Sequence, residues 1–150
     1  MCLVALPLYV LLVVVHMCYK MLMTYKVKAA IPALRETKGS IILTSSGAAV
    51  SGTSAWGCYG AGKAVLNHLA KTLAKEEPDI TTLSIRPGVV ATQMQDTLAS
   101  THFEKMEPND TERFKQMRQD GKMLRPDQPG NVMAKLVLDM PREFSGEFLK

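Results

Sequence analysis

An α/β fold built on a parallel sheet is predicted for this 150-residue chain by three observations. Two short apolar or β-branched runs, Ile41-Ile42-Leu43-Thr44 and Thr81-Thr82-Leu83-Ser84-Ile85, read as strands. Between them lies a long stretch with apolar residues at helical spacing. Each run ends in small or turn-forming residues, Ser45-Ser46-Gly47 and Arg86-Pro87-Gly88. Strand, helix and strand in that order fit a parallel pair joined by a helical crossover.

The first element is the apolar segment 2–18, whose only titratable side chains are Cys2, Tyr9, His16 and Cys18. As a helix it would span about 25 Å, short of a hydrocarbon layer of about 30 Å. Three readings stay open: a marginal membrane anchor, a buried strand or helix around residues 8–15 covering a sheet face, and an aberrant start replacing other sequence. Lys20, Lys26 and Lys28 follow the segment, so an anchor would leave the remainder cytoplasmic. A secretory signal would carry its positive charge before the apolar core.

Residues 21–36 read as a helix, with Pro32 at a bend and Gly39 beyond its end. Residues 58–76 form the next helix, with Ala61, Val65, Leu69 and Leu73 on one stripe and Leu66 and Ala70 beside it. A stripe that wide predicts burial on more than one side. Residues 94–102 and 110–119 are short amphipathic segments separated by Glu107-Pro108-Asn109-Asp110. Pro126-Asp127-Gln128-Pro129-Gly130 opens a further helix, with Val132, Leu136 and Val137 expected to face the core. Ser145-Gly146-Glu147-Phe148-Leu149 is the expected last strand.

Tyr59 and Lys63, four residues apart on one helix, share a face one turn apart. A neighbouring ammonium favours phenolate and brings a group of pKa about 10 closer to acid–base work near neutrality. Ser46, at the end of the preceding strand, could donate a hydrogen bond to a carbonyl oxygen that Tyr59 protonates. Pro87 and Gly88 turn the chain at the carboxyl end of the next strand, where ligands bind in parallel sheets.

Through Thr44-Ser45-Ser46-Gly47, Tyr59-Gly60-Ala61-Gly62-Lys63 and Pro87-Gly88-Val89-Val90-Ala91-Thr92, in that order, the chain resembles the short-chain dehydrogenase/reductase family. Trp56-Gly57-Cys58-Tyr59, Leu73-Ala74-Lys75-Glu76-Glu77-Pro78, Thr92-Gln93-Met94-Gln95 and Gly121-Lys122-Met123-Leu124 resemble its sepiapterin reductase and benzil reductase branch. The resemblance implies the C-terminal part of a Rossmann-like doubly wound parallel sheet, truncated at the N-terminus. Residues 1–18 would then be the apolar segment and residues 19–150 a partial catalytic domain. It further implies that Ser46 orients the substrate carbonyl, Tyr59 donates the proton and Lys63 holds the nicotinamide ribose and lowers the Tyr59 pKa. Pro87, Gly88, Val90 and Thr92 would line the nicotinamide and its phosphate, with NADP(H) favoured over NAD(H). The implied reaction is reduction of a diketone or pterin-type ketone, a small-molecule carbonyl substrate. Helices 21–36 and 58–76 would form a homodimer interface, and the segment around residues 94–119 a substrate lid.

The family's cofactor half opens with a strand, a glycine-rich turn and a helix whose N–H groups hold the pyrophosphate. Here the first glycine is Gly39, and no asparagine occurs in residues 1–38 to match the family's catalytic one. The cofactor-binding half is therefore expected to be missing. An alternative follows, a catalytically inactive truncated reductase acting as a dimerising or partner-binding module.

Other classes fit less well. Gly57 to Ala64 nearly matches a phosphate loop, but Ala64 has no hydroxyl for magnesium and no buried strand precedes the match. The formal charge of +4 comes from 18 basic and 14 acidic residues scattered along the chain, which gives no nucleic-acid footprint. Cys2, Cys18 and Cys58 make no disulfide framework, and no cysteine or histidine pair has metal-ligand spacing. Reduced thiols and a cytoplasmic location, with membrane association through segment 2–18 as the variant, are the expectation.

Overall fold

The computed structural model describes residues 8–150, with side chains from Met23 onward. The expectations for segment 2–18 lie outside the described side chains. Among the described residues no helix is long and apolar enough to cross a membrane.

Helix α1 spans Leu8–Thr37, beginning well before the predicted residue 21, and continues through Pro32 despite the ladder bond that proline forfeits. It stops where Lys38 takes a left-handed conformation (φ 49°) and the Gly39 N–H bonds back to Leu34 O at 3.0 Å. That six-to-one bond satisfies a terminal carbonyl and turns the chain into the sheet.

Strand β1 (Ser40–Thr44) pairs in parallel with β2 (Thr81–Ile85), from Ser40 opposite Thr81 to Thr44 opposite Ile85. Strand β3 (Phe148–Leu149) lies parallel on the far side of β2, giving the order β1-β2-β3. All five residues of β2 are buried, as a central strand covered on both faces requires. The last strand is shorter than predicted. Gly146 has φ 87° and donates to Thr82 O, while Ser145 Oγ accepts from the Thr82 N–H. These bonds make residues 145–147 an approach to the strand and not part of its regular pairing.

Helix α2 (Gly57–Glu76) crosses between β1 and β2. Leu66 and Ala70 pack with Leu43 of β1 in one core cluster, edged by Val27 of α1, Ile41 and Leu69. Arg35 of α1 makes a bidentate pair with Glu77 at 2.7 and 2.6 Å. The Arg35 side chain is 61% exposed, so this pair contributes modestly. Only part of the predicted α2 stripe is buried: Leu66, Ala70 and Leu73 are covered, whereas Ala61 and Val65 are exposed. The sheet and Val27 of α1 cover the side that bears Leu66 and Ala70, and Ala61 and Val65 stand outside these contacts.

A second cluster joins Leu98, Met106 and Phe114, edged by Trp56, Val89 and Phe103. Leu98 lies in the wide helical turn Leu98–His102 that extends helix α3 (Gln93–Thr97), Met106 follows the 3-10 turn Phe103–Lys105, and Phe114 belongs to helix α4 (Pro108–Gln119). Helix α5 (Asp127–Leu138) corrects the expectation for Val132, Leu136 and Val137. None of its residues is buried, and Val132 and Val137 are more than half exposed. An apolar stripe reports the face a helix can bury, not the presence of a surface to bury it against.

Leu83 is fully buried in β2, whereas Leu138 at the end of α5 is 88% exposed. Leu83→Ala should cost about 2–5 kcal/mol through lost burial and a residual cavity. Leu138→Ala should stay within about 0.5 kcal/mol of wild type. Urea unfolding of both variants checks this, and equal losses would contradict the exposed face of α5.

Candidate active site

The parallel sheet brings the carboxyl ends of β1 and β2 side by side, and the Ser45 N–H extends their ladder to Ile85 O at 2.8 Å. Ser46 follows in extended geometry (φ −154°, ψ 158°) and caps a single 3-10 turn, Gly47–Ala49. Its Oγ accepts the Ala48 N–H at 3.3 Å. Tyr59 stands in the first turn of α2 and Lys63 one turn later, with Lys63 Nζ 5.7 Å from the centre of the Tyr59 ring.

Two bonds tie β1 to this part of α2. Lys63 Nζ donates to Thr44 O at 2.7 Å, and the buried Ser45 Oγ donates to Lys63 O at 3.3 Å. A third constraint is steric. A Cβ on Gly60 would lie 2.5 Å from Ala48 O, so the Ser46 turn reaches α2 only because residue 60 has no side chain. Ser46, Tyr59 and Lys63 therefore belong to one strand–turn–helix unit.

Gly88 has φ 84°, a left-handed conformation suited to glycine, and its missing Cβ would meet Leu124 Cδ1 at 3.0 Å. Leu124 pins the segment by exchanging backbone bonds, Ala91 N–H to Leu124 O and Leu124 N–H to Val89 O, both 2.8 Å. Thr92 Oγ1 donates to Val90 O at 3.4 Å. Pro87 borders a recess of about 220 Å³ walled by Leu124, Pro129, Val132 and Met133, so it faces α5 as well as the strand ends. A larger open groove, about 430 Å³, runs along residues 48–53 and the small residues Gly57, Gly60, Ala61 and Ala64. It contains neither Ser46 nor Tyr59 nor Lys63.

Trp56 packs edge-to-face on Tyr59, ring centres 5.3 Å apart with planes at 74°, and also contacts Phe114 of α4 at 5.3 Å. Beside it, Asp110 Oδ2 accepts both the Ser54 N–H and the Ser54 Oγ–H at 2.8 Å, and Ser54 Oγ accepts the Glu107 N–H at 2.7 Å. The Ser54 backbone bond, followed by its hydroxyl, holds the Asp110 carboxyl below the usual carboxylate range. Among the described residues no cluster of three or more histidine, cysteine or acidic side chains could hold a metal.

Sequence reasoning placed Ser46, Tyr59, Lys63 and the Pro87–Thr92 turn in adjoining elements, as found. It did not foresee the need for glycine at position 60 or the Ser54–Asp110 bond. A tyrosine flanked by Trp56 three positions before and Gly60 one after was the available signal.

The short chain dehydrogenase family matches residues 15–102, a span that holds Ser46, Tyr59, Lys63, Pro87, Gly88, Val90 and Thr92. Benzil reductase ((S)-benzoin forming) of Saccharomyces cerevisiae is 38% identical over 83% of this chain and 49% of that protein. Sepiapterin reductase of Rattus norvegicus is 33% identical over 62% of this chain and 33% of that protein. Among solved structures, the KRED1-Pglu enzyme superposes with a TM-score of 0.79 at 38% identity, over 81% of this chain and 51% of that one. The angucycline C-6 ketoreductase LanV with bound NADP superposes with a TM-score of 0.56 at 25% identity, over 75% and 41%. The chain spans about half the length of the first curated relatives it matches.

Gly60→Ala should destabilise the fold by about 1–3 kcal/mol, because the methyl group meets a backbone oxygen that cannot swing away. Gly57, in the same helix, has nothing within 4 Å of its missing Cβ. Gly57→Ala should be neutral or stabilise by up to about 1 kcal/mol. Thermal unfolding separates the two, and an equally harmless Gly60→Ala would contradict the close contact.

Proposed function

We propose that this chain, which belongs to the short-chain dehydrogenase/reductase family, carries the reacting side of an NAD(P)H-dependent carbonyl reductase. The observation that carries the reading is the Tyr59–Lys63 pair, one turn apart on a helix held against the Ser46 turn. The donor set fits the nicotinamide end of the cofactor. Tyr59 and Lys63 would hold the ribose, with Pro87, Gly88, Val90 and Thr92 along the nicotinamide and its phosphate. No glycine precedes Gly39 in this sequence, so the residues named here would meet the nicotinamide end alone. When bound, the cofactor supplies hydride.

The chain's own residues supply the rest. Ser46 Oγ accepts the Ala48 N–H and keeps its own O–H to donate to the carbonyl oxygen, which, with Tyr59, polarises the carbon toward nucleophilic attack. Tyr59 gives its phenolic proton to the oxygen as negative charge develops there, and the Lys63 ammonium stabilises the phenolate left behind. The similarity to a benzil reductase and to sepiapterin reductases supports a vicinal diketone or a pterin side-chain ketone as substrate. The NADP bound to LanV supports NADPH as the preferred reductant. Residues 19–150 would act as the partial catalytic domain, in the cytoplasm, where the exposed Cys58 stays reduced.

A second reading, a catalytically inactive reductase serving as a dimerising or partner-binding module, draws on one observation: Val65 of α2 is exposed on a helix that the family resemblance assigns to an interface. NADPH fluorescence decides between them: saturable binding supports the reductase, and its absence the module. With benzil as substrate, NADPH oxidation should fall about 10²- to 10⁴-fold in Tyr59→Phe. An unchanged rate in that variant would remove Tyr59 from the chemistry.

A further inference from the structure

We propose that Ser54 and Asp110 are positioning residues for Tyr59, acting through Trp56. The inference deepens the reductase reading and rests on it for the role of Tyr59.

The argument starts from the short loop before α2. Ala55 adopts φ 61°, a conformation unfavourable for a residue with a Cβ, and so needs support from its surroundings. The support comes from both neighbours. On one side Ser54 is fixed by three hydrogen bonds to the first turn of α4, two to Asp110 Oδ2 and one from the Glu107 N–H. On the other side Trp56 sits between Phe114 of α4 and the ring of Tyr59. Asp110 lies near the N-terminus of α4, where the helix dipole favours a carboxylate, and Arg113 stands 3.8 Å away. The partners are 56 residues apart in sequence, so this clasp joins the segment after β2 to the entry of the helix bearing Tyr59.

Its effect on Tyr59 is geometric. Edge-to-face contact restricts the tilt of the phenol, and with it the direction of its Oη–H. Releasing Ser54 frees residue 55 to leave its left-handed conformation and carries Trp56 away from the Tyr59 ring. The same clasp holds the Leu98–Met106–Phe114 cluster over the entry to α2, with Trp56 and Val89 at its border. Proton donation by Tyr59 thus depends on a carboxylate that reaches it only through Ser54 and Trp56.

Trp56 is the one tryptophan in the chain, so intrinsic emission reports this contact directly. Tyr59 ring resonances, assigned by their loss in Tyr59→Phe, carry the ring-current shift of Trp56. In the full chain, Asp110→Ala should move the Tyr59 resonances and shift Trp56 emission to the red. Ser54→Thr, which keeps the hydroxyl and the N–H, should leave both near wild type. Arg118→Ala, which breaks the surface pair with Asp96, should leave both unchanged. Should Asp110→Ala fail to fold, Ser54→Ala retains the backbone bond and is read by the same two signals. Unmoved Tyr59 resonances in whichever of these two variants folds would overturn the proposal. If wild type reduces benzil with NADPH, the variant should also lose roughly 10- to 100-fold in kcat with the KM for NADPH retained. Moved resonances with an unchanged kcat would likewise overturn it. A wild-type chain that turns over no NADPH would sink the reductase reading alone, since the spectroscopic result still decides whether the clasp sets the ring.

Discussion

The close approach of the β1 end to the first turns of α2 is the constraint on which the rest of the site depends. Gly60 leaves room for Ala48 O, Lys63 Nζ reaches back to Thr44 O, and Ser45 Oγ closes the loop on Lys63 O. Each contact alone is small. Together they fix the helix axis and its rotation relative to the strand, which is what places Tyr59 and Lys63 beside the turn that bears Ser46. Lys63 is structural through the bond its ammonium donates to Thr44 O, and the same group lies 5.7 Å from the phenol ring it would tune.

The two apolar clusters divide the work of holding this unit. Leu43, Leu66 and Ala70 fasten the middle of α2 to the sheet, and burial of such side chains is worth about 1.5–3 kcal/mol each for the larger ones. Leu98, Met106 and Phe114 instead bring the segment after β2 against the start of α2, where Trp56 and Tyr59 stand. The sheet therefore sets where Ser46, Tyr59 and Lys63 stand, and the second cluster borders Trp56, whose ring meets that of Tyr59. Apolar residues on α5 and on one side of α2 remain outside both clusters, with Val132, Val137 and Val65 about half exposed.

Legibility in the sequence follows the range of the interactions. The strand Thr81–Ile85 and helix Gly57–Glu76 were readable almost to the residue because β-branched runs, helical spacing and flanking turns act locally. Tyr59 and Lys63 were readable as a pair because a helix alone determines that residues four apart meet. The demand for glycine at position 60 was not readable, since nothing nearby in sequence shows that Ala48 O will lie against it. The Ser54–Asp110 bond was beyond reach for the same reason. Val132 and Val137 show the converse failure, in which a correct local pattern was extended to a burial that requires a second surface.

The central claim, that the Ser46 turn rests on α2 at Gly60, is tested most directly by nuclear Overhauser contacts in the full chain. The Ala48 Cβ lies 3.8 Å from where a side chain on Gly60 would begin, so strong cross-peaks between the Ala48 methyl and the Gly60 α-protons are predicted. Their absence, with α2 otherwise helical and protected from exchange, would contradict the account and separate Ser46 from Tyr59 and Lys63.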